Sequence, residues 1–196
     1  MKVKVLNEAG YSHALLGMSL SFYDHITQLD EWWAEDKKKR ASHRAESLAF
    51  KGGGHNKYLE SIQVWMYVQA PRAWWSEMDT YRVGISKNSS STMHTLDKRQ
   101  VVDSDFEEGT SLQSIDGFNS CLTQYKDENS IYYKDITRLK MNLPESWLQE
   151  RLINCNYMVL QNIIRQRRGH RLKQWDVFID SLLEQIEHPE LLIKKD

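Results

Sequence analysis

Side chains able to recognise a flat or anionic ligand recur along this chain in a definite order. His55 follows three glycines, Arg82 and Ser90 flank the start of a serine-rich stretch, and Asn156, Asn162 and Arg167 come near the end. The planar fork of an arginine donates two hydrogen bonds to a carbonyl edge or a carboxylate, which is what reading the edge of a ring requires. Asn156 and Arg167 are eleven residues apart, three turns if the segment is helical, so both would project from one face, with Asn162 turned away by roughly 120°. Glu77, Asp79, Tyr81 and His94 could form an acid/base cluster if the helix and loop that carry them fold together. No GxSxG, HExxH or GxxxxGKS/T motif is present, so these routes to a nucleophile, a zinc site or a phosphate loop are not offered.

Each of these residues also has a purely structural reading. His55 could be a loop histidine, and Asn156 and Asn162 could cap or bridge neighbouring helices. Arg167 lies in RQRRGHR (Arg165 to Arg171), a run whose cations also suit a solvated helix end, where they complement the dipole. Ser89 to Ser91 could be a surface loop. Trp32, Trp33, Trp74 and Trp75 fit a core or a subunit interface better than a ring-stacking platform.

The elements that must position these groups follow from periodicity and punctuation. Val3 and Val5 alternate in a short strand, Lys2 to Leu6, followed by a turn over Asn7 to Gly10. Tyr11 to Phe50 reads as mostly helical with a charged break at Glu35 to Arg40, and KGGGH (Lys51 to His55) stops the second helix. Ser61 to Ala70 alternates Ile62, Val64, Met66 and Val68 against Gln63, Trp65, Tyr67 and Gln69, the pattern of a strand. Pro71 opens a helix that has no breaker before Gly84, and a Ser-rich loop covers Ile85 to Thr95. Residues 97–130 are polar and carry no clear period. Helices are expected over Ser130 to Met141, Pro144 to Asn154, Cys155 to Arg168 and His170 to Glu187.

With 196 residues the chain suits one domain, 1–196, of α+β class. A net charge of −1 gives no global reason to expect nucleic acid, and two distant cysteines suggest neither a disulfide framework nor a metal site, so a cytoplasmic setting is expected. No apolar run approaches the ~20 residues of a membrane span.

His55, Glu60, the VQAP step at 68–71, the Pro71 helix, Arg82, Ser90, Leu143-Pro144, Asn156, Asn162 and Arg167 come in the order seen in one family. In that order and spacing the chain resembles the flavin-dependent thymidylate synthases. The family's RHRxxSxNExSxRY signature falls on Thr80 to Met93, where Arg82 and Ser90 agree and Thr80, Tyr81, Ile85, Lys87, Asn88, Thr92 and Met93 depart. The resemblance implies a mostly helical α+β fold with a small, mainly antiparallel sheet. It implies cofactor contacts from His55, Arg82, Asn156 and Asn162, substrate contacts from Glu77, Ser90, Lys140 and Arg167, and catalytic roles for Arg82 and Arg167. Thr92 removes a cation where the family holds a phosphate, and Glu77 puts a carboxylate where the family has glutamine.

A divergent relative is therefore expected, one that binds or acts on a pyrimidine nucleotide or related compound, by one-carbon transfer to the ring if catalytic. FAD would be held more weakly because Thr80 and Tyr81 replace two cationic or ionisable contacts, and methylenetetrahydrofolate and NADPH would enter only with turnover. A homotetramer is implied. Two alternatives stand beside this: a non-catalytic nucleotide- or flavin-binding protein of the same fold, and a nucleic-acid module using Arg165 to Lys173, against which the near-neutral charge counts.

Overall fold

The computed structural model describes residues 1–22 and 34–194, so Trp32 and Trp33 lie outside the described residues. Strand β1 (Lys2–Ala9) runs three residues beyond the expected one, and Gly10, at φ 95°, makes the turn into α1 (Tyr11–Ser19). A Cβ on Gly10 would come within 2.3 Å of the Ser61 carbonyl oxygen, so this tight corner admits only glycine.

Helix α2 (Glu35–Leu48) contains the whole charged stretch that reads as a break. Glu35 and Asp36 occupy its first turn, where negative charge is favoured, and pair with Lys38 and Arg40 at helical spacing (3.2 and 3.5 Å). The charges therefore solvate a helix face instead of interrupting it. KGGGH ends the segment as expected, and β2 (Gln63–Pro71) shows the alternation in full, with Val64, Met66 and Val68 fully buried. Pro71 caps α3 (Arg72–Met78), which ends well before Gly84.

Two further expectations are corrected. Ile85–Ser89 is strand β3, and the helix expected over Pro144 to Asn154 is replaced by strand β4 (Leu148–Asn156). Ile153 and Cys155 are buried between partly exposed neighbours, the period-2 burial of a strand, although LQERLINCN shows little apolar alternation. The four strands form one antiparallel sheet in the order β1-β2-β4-β3. Residues 97–130, without a clear period in the sequence, contain α4 (Leu112–Lys126), capped by Ser111, whose hydroxyl accepts from the Ser114 amide at 3.2 Å. Only Ile136–Met141 of the Ser130 to Met141 segment is helical (α5), beginning at Asp135, which caps the Arg138 amide. The last two helices are α6 (Tyr157–Arg167) and α7 (Gln174–Leu183), shorter than expected at each end.

The chain divides into two compact units. The first holds residues 1–2, 68–81 and 88–151; its core joins Phe118 and Leu122 of α4 to Leu96, Phe106, Leu139 and Leu143. Trp74 and Trp75 are buried in this unit, edge to face at 4.8 Å. They are core, and cannot supply the exposed aromatic surface that an assembly would use. The second unit holds residues 3–67, 82–87 and 152–196, with Leu59, Ile62, Tyr157, Leu160, Trp175 and Phe178 at its centre. Among the described residues no helix is long and apolar enough to cross a membrane.

Candidate functional site

In the second unit the candidate residues gather around the start of α6. Asn156 is the N-cap of this helix, not a member of it, so the one-face argument that paired it with Arg167 does not hold. Its Oδ1 accepts from the Val159 amide at 2.9 Å, satisfying one of the helix's orphan donors. Its amide nitrogen lies against Gly84, where a Cβ would stand 3.1 Å away, and 3.0 Å from Val159 Cγ2. Gly84 also has φ 70°, so both backbone and packing require glycine. Arg82, two residues earlier, is exposed in the same turn.

The glycine-rich turn approaches this helix from the other side of the chain. Asn56 Nδ2 donates to Met158 Sδ at 3.7 Å, which brings the His55 turn to the first turn of α6. His55 is exposed and, with Gly53 and Gly54, lines a cavity of about 940 Å³ that includes His13, Tyr58 and Glu60. Further along α6, Asn162 is half-buried and its Oδ1 accepts from Arg165 at 3.2 Å.

The end of α6 separates two adjacent arginines. Arg167 lies with its guanidinium carbon 4.8 Å from the ring centre of the buried Trp175, and its Nη1 is 3.2 Å from His170 Nε2. Arg168 points to acids of α7 instead, 2.5 Å from Asp180 and 3.8 Å from Asp176. The RQRRGHR run is thus no uniform basic patch: Arg167 lies against an aromatic ring, and Arg168 pairs with the acids of α7.

The first unit holds Glu77, Ser90 and Lys140 on three different segments. Glu77 is half-buried on α3, Lys140 half-buried in the last turn of α5, and Ser90 exposed just after β3. Ser90 is fixed through its backbone, donating to the Glu150 carbonyl at 2.9 Å and accepting from Gln149 Nε2 at 3.2 Å. It lines a cavity of about 560 Å³ together with Thr92, Lys98, Arg99, Asp105 and Trp147. Of the residues suggested for an acid/base cluster, Asp79 is held by Arg151, which donates to both its oxygens at 2.8 and 3.0 Å and lies 4.2 Å from the Trp75 ring centre.

Crystal structures with the same architecture include a flavin-dependent thymidylate synthase, ThyX, from Helicobacter pylori, complexed with FAD and dUMP, at TM-score 0.76 and 15% identity over 98% of each chain. A second structure of ThyX from that organism, with FAD and dUMP, superimposes at TM-score 0.75 and 14% identity, covering 99% of this chain and 98% of that one. The chain has the fold of the flavin-dependent thymidylate synthases. A UMP/dUMP methylase, PolB, from Streptomyces cacaoi, bound with 5-Br dUMP, shares it at TM-score 0.67 and 13% identity, over 96% of this chain and 92% of that one. No family model matches the sequence. No curated protein matches it either. The thymidylate synthase fold is thus recovered at an identity where only an order of spaced residues links the sequences.

Sequence reasoning missed three features of this thymidylate synthase-like fold. Gly84 was legible as a breaker, but not as the residue that lets a turn close on Asn156. The Arg99–Asp105 pair and the Arg151–Asp79 pair belong to no motif; the first spans six residues and the second 72. Only the three-dimensional packing identifies them.

Proposed function

We propose that this chain is a single-domain, thymidylate synthase-like protein that binds a pyrimidine nucleotide or related compound, with Arg167 reading the edge of the ring. The observation that carries this reading is the setting of Arg167 against Arg168. The first guanidinium lies against the Trp175 ring and beside His170, whereas the second is directed to Asp176 and Asp180. A planar fork held against an aromatic face suits directional hydrogen bonding to a carbonyl edge, a use for which a solvated helix end needs no such support.

The residues near α6 fit a flavin nucleotide in their donor chemistry. His55 and Arg82 are exposed, and Asn156 retains an amide nitrogen after its oxygen caps the helix. We assign His55, Arg82, Asn156 and Asn162 to hold FAD, with Arg82 as the charged donor among them. Thr80 adds nothing to that set, because its hydroxyl already donates to the Glu77 carbonyl at 2.7 Å. Bound and reduced, a flavin supplies hydride; the protein's part is to bind and orient the ring that receives it. Arg82 and Arg167 are the catalytic residues of this proposal, and Glu77, Ser90 and Lys140 its further substrate contacts. Methylenetetrahydrofolate and NADPH enter as carbon donor and reductant of a turnover reaction.

Assembly as a homotetramer in the cytoplasm completes the reading, and a monomer by light scattering at micromolar concentration removes the tetramer. Titration of FAD, followed by its absorbance, tests the cofactor assignment. With charge-assisted contacts missing at positions 80 and 81, each worth ~1.5–3 kcal/mol, affinity should be at least about tenfold below that of ThyX measured alongside. Stoichiometric flavin retained through purification would contradict this.

A further inference from the structure

The cavity beside Ser90 has a balanced set of charges. Lys98 and Arg99 contribute two cations, Asp105 and Glu150 two carboxylates, and the remaining polar lining residues are Gln69, Ser90, Thr92, Thr95 and Ser104, four of which carry hydroxyls. Trp147 forms an aromatic face of the same cavity, and about 560 Å³ is enough space for a small ligand.

The balance is enforced at Arg99. Its Nη1 meets Asp105 Oδ2 at 2.6 Å and its Nη2 meets Oδ1 at 2.5 Å, the two parallel bonds of a bidentate pair. The carboxylate is anchored in turn, since Oδ2 also accepts from the Val102 amide at 2.9 Å, and the Asp105 side chain is only 14% exposed. The guanidinium fork a phosphate would need is therefore already satisfied by the protein's own anion. The hydrogen-bonded Arg99 guanidinium also holds the Asp105 carboxyl below its usual range. A phosphate dianion entering here competes with Asp105 for the Arg99 fork and lies beside the Asp105 and Glu150 carboxylates, with Lys98 the remaining cation of the wall. A neutral sugar meets hydroxyls that donate and accept without any such competition.

We propose that this cavity selects an uncharged, hydroxyl-bearing ligand, a nucleoside or its sugar portion, over a nucleotide phosphate, and that Asp105 sets the preference by occupying Arg99. The inference rests on the reading that the chain binds a pyrimidine compound, and it narrows the ligand class within that reading.

Calorimetric titration of uridine and UMP into the wild-type protein and Asp105→Asn tests it. Wild type should bind uridine at least about tenfold more tightly than UMP. Asp105→Asn should raise UMP affinity relative to uridine by about tenfold, as the freed guanidinium gains a charged acceptor, and added salt should reduce that gain. The double variant Asp105→Asn/Arg99→Gln removes both charges and should return the ratio to the wild-type value. Should Asp105→Asn alone misfold, the double variant decides: a loss of UMP affinity relative to uridine means Arg99 was serving phosphate all along. Tighter binding of UMP by the wild type, or an unchanged ratio in folded Asp105→Asn, overturns this inference alone. No binding of either compound by the wild type removes the broader pyrimidine reading and this inference with it.

Discussion

The start of α6 and the cavity beside Ser90 use polar groups in opposite ways. At α6 the polar atoms support the chain's own architecture and leave selected donors over: Asn156 caps the helix with its oxygen, and Tyr157, the first helical residue, donates to the partly buried Glu8 at 2.5 Å. In the Ser90 cavity Arg99 and Asp105 satisfy one another on an exposed loop, with Arg99 59% exposed. A site built into a helix terminus tolerates few changes because it is also a structural joint. One built from paired loop charges can be retuned by a single substitution.

The sharpest way to break this contrast is at Gly84. Gly84→Ala places a Cβ 3.0–3.1 Å from Val159 and Asn156 at φ 70°. We expect a loss of about 2 kcal/mol or more, a fall in Tm of roughly 4–8 °C for a chain of this size, read by thermal denaturation. An unchanged Tm would mean that the turn is free to shift and that α6 is not the rigid joint described.

Asn156→Ala follows in size. Loss of the cap should cost about 1 kcal/mol of stability in chemical denaturation, and FAD binding should weaken in the same variant if Asn156 is also a cofactor donor. Stability lost with binding intact would leave Asn156 a cap and nothing more.

The smallest effects are in pH dependence, and their signs differ between the two regions. Burial raises the Glu8 carboxyl above its usual value, outweighing the Tyr157 hydrogen bond, so the folded state holds that proton more tightly than the unfolded chain. Stability from Glu8 is present below the usual carboxylate range and declines as pH rises through the raised value. Asp105 is shifted the other way: its contribution is present above the usual range and is lost as pH falls through the lowered value. Glu8→Gln should therefore flatten stability on the higher side of the carboxylate range, and Asp105→Asn on the acid side. Identical profiles for the two variants, followed by denaturant unfolding across pH, would erase the distinction.

How far the sequence reveals these regions depends on the range of the interaction. The alternation of Ile62, Val64, Met66 and Val68 is local and marks β2 directly, and Tyr157, Leu160 and Ile163 mark the buried face of α6. Helix α4 presents Ile115, Phe118 and Leu122 at helical spacing, but polar residues between them dilute the signal. Strand β4 is not legible as a strand in the sequence, because its burial comes from its place in the sheet, which LQERLINCN does not display. The same limit applies to the sites. Asn156 and Arg167 stand out by type and spacing, yet whether an asparagine caps a helix or lies within it depends on a boundary one residue away. Asp105 pairs with Arg99 by side-chain geometry alone, which no motif encodes.

The central claim is that Arg167, and not a general basic surface, recognises a pyrimidine. Calorimetric titration of uridine and thymidine nucleosides and nucleotides into wild type, Arg167→Ala and Arg168→Ala at two salt concentrations tests it most directly. Arg167→Ala should lose ~1.5–3 kcal/mol of binding with little salt dependence, as for a shielded charge-assisted hydrogen bond. Arg168→Ala should keep its affinity and lose at most about 1 kcal/mol of stability with its exposed ion pairs. Equal losses of binding in the two variants, or no pyrimidine binding by the wild type, would contradict the account.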